Sequence, residues 1–298
     1  MDTIITVLLD GLVFSSYLFI VSVGLTLIFG VMKVLNLAHG GFYAWGAYSA
    51  AFLIGRAAAA GWPDVAGFAM IFVAALVVGS VMGVAIELGI LRFLRNRDET
   101  LVVLATFGIL LMLEDAIMAV FGTDPFFAYQ PMTALGHVEI GGIARDVYGL
   151  TMIALAFAVA AAVWLGIKRT RFGKLLSAVI YDREIALTLG INVRKVFLGT
   201  FVLGAVLGAL GGAYVAPTTS VVPGLGMEVI VLSFAVVVIG GMGSVPGALA
   251  GALIVGLARA LAVHKFPEYE LFVVYVVMAL VLTFRREGLF APPKLRRI

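Results

Sequence analysis

The sequence predicts an all-α fold, a polytopic membrane helix bundle, and two observations support this class. Of the 298 residues, 63% are hydrophobic and only 12% are charged, whereas soluble domains carry about 25% charged residues. The apolar residues also form long runs, and about 20 such residues are needed for one helix to cross the hydrocarbon core of a bilayer. We therefore expect one transmembrane domain that occupies residues 1–298.

Nine apolar segments predict membrane-spanning helices. Because glycine-rich breaks can hide half-spans, the expected number is eight to ten helices. The segments are residues 5–32, 40–57, 65–91, 100–121, 148–167, 196–216, 227–241, 246–263 and 270–284.

The positions of the lysines and arginines predict the orientation. If the C-terminus is cytoplasmic, sixteen of the twenty lie at cytoplasmic ends of spans, which agrees with the positive-inside rule. The N-terminus and loop 122–147 are then outside. Because these charges flank spans and form no single basic face, we expect no binding to nucleic acid. The four exceptions are Arg56, Arg145, Arg259 and Lys265.

Two stretches, residues 33–41 and residues 240–247, interrupt the apolar runs. Irregular backbone at membrane depth is tolerated only where it is buried in protein or lines a wet cavity. Paired broken helices form the substrate site in many transporters. The predicted topology instead makes both stretches tight cytoplasmic turns, and the sequence leaves both interpretations open.

The longest predicted cytoplasmic loop, residues 168–195, contains a patterned helix. Asp182 and Glu184 suit the positive end of a helix dipole, and Gly190 suits a helix C-terminus. Ala186 is small, so we expect this helix to lie flat in a groove of another protein. The alternative interpretation is a solvated loop between two spans.

Several polar residues fall within or beside predicted spans. Charges near the bilayer centre cost about 2.5–3.5 kcal/mol on insertion scales, so we hypothesise that Arg259 pairs with Glu114 or Asp115. The alternative is that each charge reaches the headgroup region. Asn36 and His39 lie in the first break, where they either cap a turn or act as pathway or gate residues. Glu114 and Arg259 are further candidates for the translocation path or gate.

Some motifs are missing. The chain has no Gly-x-x-x-x-Gly-Lys-Ser/Thr sequence, so it does not bind ATP through a P-loop. It has no cysteine, three histidines and no His-Glu-x-x-His sequence, so metal catalysis is not expected. We predict a protein without catalytic residues, cofactor or metal.

The motifs resemble those of a known transporter family. The sequence EIALTLG at residues 184–190 resembles the EAA loop (Glu-Ala-Ala-x-x-x-Gly) of ATP-binding-cassette (ABC) importer permeases, although isoleucine replaces the first of the two alanines and the later Ile-x-Leu-Pro part is absent. Residues 24–41, GLTLIFGVMKVLNLAHGG, resemble the first-helix signature of branched-chain amino acid permeases of the H type. Residues 238–252, VIGGMGSVPGALAGA, are similar to the C-terminal signature of that family.

The resemblance implies a non-catalytic subunit of an ABC importer that moves branched-chain or related hydrophobic amino acids across a bacterial or archaeal cytoplasmic membrane. It implies four kinds of partner: a second related permease, two cytoplasmic ATP-binding subunits, an extracytoplasmic substrate-binding protein and the lipid bilayer. We name residues 168–195 the coupling segment, because the resemblance implies that they dock on the ATPase. The resemblance assigns this role to Asp182, Glu184, Ala186 and Gly190.

Alternatives remain for both substrate and class. Relatives that carry urea, short amides or aromatic acids have similar motifs. A secondary transporter complete in one chain and a non-transporting membrane scaffold are the rival classes. A secondary transporter is expected to gather ionisable residues at mid-bilayer, and this chain has few of them.

Overall fold

Helices form at all nine predicted spans. The computed structural model describes residues 2–95, 97–140 and 142–290, and within these ranges nine helices have at least 15 residues. This confirms the all-α membrane bundle. The nine are α1 (Asp2–Met32), α2 (His39–Ala59), α3 (Ala66–Ile86), α5 (Glu99–Phe121), α7 (Val147–Arg169), α10 (Val193–Val215), α11 (Leu225–Gly240), α12 (Val245–Lys265) and α13 (Glu270–Phe284).

Six stretches of the described chain are long and apolar enough to cross a membrane, whereas α11 and α13 are apolar but shorter. The longest crossings are Ile4–Met32 and Ala66–Leu94, each of 29 residues. The second includes a five-residue π-helix, Glu87–Leu91, and the short helix α4 (Arg92–Leu94). A π-helix is a local insertion that often marks a functional position.

Short elements join the spans. A two-stranded antiparallel hairpin, β1 (His137–Ile140) and β2 (Ile143–Asp146), follows the short helix α6 (Gln130–Leu135). Two further short helices, α8 (Arg171–Tyr181) and α9 (Arg183–Thr188), lie between α7 and α10. We call the end of the bundle with α8 and α9 the loop end, and the end with the β-hairpin the hairpin end.

Helix α10 lies in the middle of the bundle, against α1, α2 and α3. Close approach of α1 and α10 is possible because glycine faces glycine: a Cβ added to Gly24 would lie 2.6 Å from the Gly204 carbonyl oxygen. Small residues at such crossings are typical of membrane helix packing. The large buried side chains around this crossing include Leu18, Phe19, Tyr43 and Tyr48.

The basic residues are grouped by the fold as the sequence predicts. The chain turns at the loop end around residues 33, 92–98, 170–192, 241–244 and 285–290. Thirteen of the lysines and arginines in the described ranges lie near these turns, and four lie towards the hairpin end. Lys294, Arg296 and Arg297, also expected on the basic side, lie outside the described residues.

Candidate functional site

The coupling segment contains a short helix, α9, that is capped at both ends by its own neighbours. The Asp182 carboxylate accepts hydrogen bonds from the Glu184 and Ile185 amides, both at 2.9 Å. At the other end Gly190 has φ +77°, and its amide donates to the Leu187 carbonyl at 3.0 Å. A 3.0 Å bond from the Ile191 amide to the Ala186 carbonyl completes a Schellman motif. Asp182 is thus the N-cap of α9, in agreement with its predicted place at the positive end of the helix dipole, and the predicted end of the helix at Gly190 is confirmed.

Ala186 does not face outward, and the expectation that its small side chain fits a partner's groove was wrong. It is 1% exposed and packs in a cluster with Val31, Leu176 and Phe197. A small residue is needed there because α9 lies directly on the ends of α1, α8 and α10. The outward face instead carries large apolar side chains: Ile185 is 54%, Leu187 53% and Leu189 73% exposed. Glu184 is also exposed.

The first break is irregular backbone inside the bundle. Helix α1 ends at Met32, and Lys33 has φ +57°. The chain then returns alongside α1, so that His39 at the start of α2 hydrogen-bonds Val21. Val21 lies eleven residues before Met32, or about 16 Å along the helix axis. Helix α2 therefore begins deep within the bundle, and the tight-turn interpretation of this stretch was wrong.

The His39 ring is enclosed between α1 and α10. It is fully buried, and its Nε2–H donates to the Val21 carbonyl oxygen at 2.9 Å. Gly208 makes room for the ring, because an added Cβ would lie 2.9 Å from the imidazole Cε1. Nδ1 has no hydrogen-bond partner among the described residues, and neither has the buried side-chain amide of Asn36. The side chains of Asn36 and His39 therefore do not cap the turn.

The second glycine-rich stretch is an end turn, but another helix that begins inside the bundle lies nearby. Residues 241–244 form a turn at the loop end, where Gly243 packs against Gly30. The predicted span 227–241 is α11, but its depth was not predicted: it begins deep in the bundle, where the close contact of Gly226 with Gly40 joins it to the start of α2. Two helices, α2 and α11, thus begin side by side inside the bundle.

Glu114 holds the start of α11. Its Oε1 accepts a hydrogen bond from the Gly226 amide at 3.0 Å, and its Oε2 accepts one from the Gly224 amide at 3.1 Å. A carboxylate at a helix N-terminus is stabilised by the helix dipole and by charge-assisted hydrogen bonds. Glu114 is only 8% exposed. It acts as the N-cap of α11, whose own sequence supplies no capping side chain.

Arg259 does not pair with Glu114 or Asp115, so this hypothesis was wrong. Its guanidinium forms a salt bridge with Glu270 at the start of α13 and lies 3.8 Å from the centre of the Phe14 ring. Both contacts lie towards the hairpin end, and Glu114 is already occupied by α11. The hypothesis failed because sequence depth alone does not determine the direction in which each side chain points.

Helix α5 holds the starts of both α2 and α11. The buried Thr106 hydroxyl accepts a hydrogen bond from the Leu37 amide at 3.2 Å, just before α2 begins. The Trp45 indole of α2 donates to the Leu113 carbonyl at 3.0 Å. Together with Glu114, these contacts mean that a displacement of α5 would shift the starts of α2 and α11.

Asp115 has a different environment from its neighbour Glu114. It is exposed and forms no salt bridge with any described residue. It lies six residues before Phe121, the last residue of α5, or about 9 Å along the axis. A second exposed carboxylate, Glu228 in the first turn of α11, was overlooked in the predicted span 227–241. Its position within an apolar run was the signal that could have revealed it.

Comparison with known proteins decides the family. The family model described as "Branched-chain amino acid transport system / permease component" matches residues 7–282. The chain belongs to this family. This confirms the family that the sequence signatures of the permease at residues 24–41 and 238–252 suggested. It is a multi-pass protein of the inner membrane.

Relatives of the permease span nearly its whole length. It is 29% identical to the high-affinity branched-chain amino acid transport system permease protein BraD of Pseudomonas aeruginosa, over 98% of this chain and 97% of the relative. It is 27% identical to LivH of Escherichia coli, a protein of the same description, over 97% and 96% of the two chains. A fructose import permease protein, FrcC of Rhizobium meliloti, is 34% identical over 39% of this chain and 33% of its own.

One solved structure has a similar fold. It is described as PsaBC from Streptococcus pneumoniae in complex with Fab, and it covers 95% of this permease and 91% of its own chain. The TM-score is 0.50 and the sequence identity is 12%. At this identity the likeness concerns the fold alone.

Proposed function

We propose that this permease is the passive membrane subunit of an ATP-driven importer for branched-chain or related hydrophobic amino acids. The observation that carries the proposal is the exposed face of α9, where Ile185, Leu187 and Leu189 project from a helix that is rigidly capped and packed. Three large apolar side chains outside the spans favour burial against another protein, because burying each one fully is worth about 1.5–3 kcal/mol. The proposed partner on this face is one of two ATP-binding subunits.

The basic loop end is proposed to be cytoplasmic, with the N-terminus outside, because lysine and arginine are concentrated on the cytoplasmic side of membrane proteins. The remaining proposed partners are a second related permease and a substrate-binding protein on the outer side. The names of BraD and LivH support an amino-acid substrate, while urea, short amides and aromatic acids remain the alternatives.

Movement at α9 has a physical route to the start of α2. Ala186 belongs to one buried apolar cluster with Val31 of α1 and Phe197 of α10. Further along the same two helices, Val21 and Gly208 hold the His39 ring. We propose that closure of the ATPase pair shifts α1 and α10 and so moves the start of α2.

The proposed gate is therefore the region where α2 and α11 begin. Asn36, His39 and Glu114 belong to it, because each is buried beside one of the two helix starts. Arg259 belongs to a separate position towards the hairpin end, where its ion pair with Glu270 ties α12 to α13.

The exposed face of α5 is proposed to border the translocation path between the two permeases. A carboxylate such as Asp115 is costly against lipid, so this face is better suited to a wet path or a protein neighbour. There Asp115 is placed to attract the ammonium group of an amino acid. Asp115→Asn should lower the maximal uptake rate without changing the affinity of the binding protein for substrate.

The decisive experiment measures ATP-dependent uptake of labelled leucine by vesicles that contain all the proposed subunits. Ile185→Ser combined with Leu189→Ser should release the ATPase and abolish most uptake. Phe290→Ser is the matched control, because Phe290 is also an exposed apolar residue at the loop end. Leucine uptake by the chain alone would overturn the proposal in favour of a secondary transporter. Competition by urea or amides, but not by leucine analogues, would replace the substrate class.

A further inference from the structure

A cavity at the loop end is lined by four arginines. It has a volume of about 530 Å³ and lies between the end of the Ala66–Leu94 crossing and the segment that joins α9 to α10. Apolar side chains of Leu187 and Ile191 form another part of its wall. The arginines are Arg92, Arg95, Arg183 and Arg194.

The cavity has more positive charge than the described residues neutralise. Arg95 forms a salt bridge with the buried Glu87, which lies in the first turn of the π-helix. The other three arginines form no salt bridge within the described part of the chain. One carboxylate among four guanidinium groups leaves three positive charges without a counter-charge.

Packing holds two of these like charges close together. The guanidinium carbons of Arg95 and Arg183 lie 4.4 and 5.6 Å from the centre of the same Phe197 ring. Burial, and then the charges of Arg183 and Arg194, lower the pKa of Arg95 from its ordinary value. Such a cluster is stabilised by an anion, and phosphate suits arginine because its oxygens accept paired guanidinium hydrogen bonds.

An apolar stripe leads from the bilayer to the cavity. Val77, Val81, Val84 and Leu88 are exposed and recur every three or four residues, and Arg92 follows at the same spacing. Residues spaced in this way lie on one face of a helix. The stripe therefore ends at the guanidinium group of Arg92, near the membrane surface.

We propose that the cavity binds the phosphate headgroup of an anionic phospholipid, with an acyl chain along the stripe of Val77, Val81, Val84 and Leu88. Basic pockets at the ends of membrane helices recognise such headgroups. Because Arg183 is the first residue of α9, a bound lipid would also brace the coupling segment against the membrane surface. This inference does not depend on the proposed transport function.

The test is native mass spectrometry of the full-length chain, purified with its partners, during titration with phosphatidylglycerol or phosphatidylcholine. Arg92→Gln combined with Arg194→Gln should weaken phosphatidylglycerol binding about 25-fold, because each arginine near an anionic surface contributes about fivefold, or roughly 1 kcal/mol. Phosphatidylcholine binding should not change. Arg171→Gln combined with Arg286→Gln is the control, since both arginines are exposed at the same end but do not line the cavity.

Three outcomes would overturn the proposal. The first is equal phosphatidylglycerol binding by the two double variants. The second is binding of glycerol phosphate as tight as that of the whole lipid, which would identify a free phosphate site. The third is unchanged lipid binding together with loss of the ATPase from the Arg92/Arg194 variant, which would mean that acidic side chains of the partner occupy the cavity.

Discussion

The coupling segment and the region where α2 and α11 begin differ in how the backbone amides at their helix ends find hydrogen-bond acceptors. Helix α9 is capped by Asp182 and by the Gly190 turn, all within nine residues of sequence. Helix α11 is capped by Glu114, which is 110 residues away along the chain. A locally capped helix can move as a rigid unit, whereas a helix capped from a distance is coupled to the element that supplies the cap.

The largest predicted effect concerns that distant cap. Glu114→Ala should destabilise the permease by about 3 kcal/mol, because it leaves the Gly224 and Gly226 amides without acceptors, at roughly 1–3 kcal/mol for each unsatisfied group. Glu114→Gln should cost less, since its amide oxygen still accepts a hydrogen bond. The measurement is the thermal unfolding of the purified complex in detergent.

The neighbouring carboxylate supplies the control for this experiment. Asp115→Asn should leave the unfolding temperature unchanged, because Asp115 is exposed and forms no ion pair within the described chain. If Glu114→Ala and Asp115→Asn unfold at the same temperature, Glu114 is not the cap of α11.

The difference between the two regions explains what the sequence could predict. The boundaries of α9 follow from Asp182 and Gly190, because N-cap and C-cap preferences act over one helical turn. The nine spans follow from hydropathy alone. The inward direction of Ala186 could not be predicted, because it depends on the ends of α1 and α10, which are distant in sequence.

The helices α2 and α11 show the same limit. Val221 and Gly226 lie between the predicted spans 196–216 and 227–241, so the sequence suggests a simple outer loop that joins these two spans. The fold instead brings Gly226 against Gly40 and Glu114. The pairing of Arg259 with Glu270 was missed for a similar reason: it depends on how α12 meets α13, not on the depth of either charge.

A second prediction concerns the C-terminus of α9. Gly190→Ala should destabilise this helix by about 1–2 kcal/mol, because a side chain in the left-handed region is strained and Gly190 has φ +77°. The expected result is faster hydrogen exchange of the α9 amides and slower ATP-dependent uptake, with little change in the unfolding of the spans.

Gly166→Ala is the matched control for this variant. Gly166 is helical, and an added Cβ there meets no other atom within 4 Å, so the substitution should be neutral or slightly stabilising. Unchanged exchange in α9 after Gly190→Ala would mean that the Schellman motif does not determine its stability.

The N-cap of α9 should have a smaller effect. Asp182→Ala removes the acceptor for two backbone amides and should cost about 1 kcal/mol. Asp182→Asn should restore most of this stability, because asparagine is an equally good N-cap. The readout is again amide exchange in residues 183–188. Equal exchange in the alanine and asparagine variants would contradict the role of Asp182 as a cap.

A prediction of similar size tests the link between α5 and α2. Thr106→Val keeps the shape of the side chain but removes the acceptor for the Leu37 amide, at a cost of about 1 kcal/mol. Thr106→Ser retains the hydroxyl and should recover the hydrogen bond. Because the Leu37 amide lies just before α2, its own exchange rate is the most direct measurement. If the valine variant exchanges this amide at the wild-type rate, α5 and α2 are joined mainly by the bond between Trp45 and Leu113, and α5 is fastened more firmly to α11 than to α2.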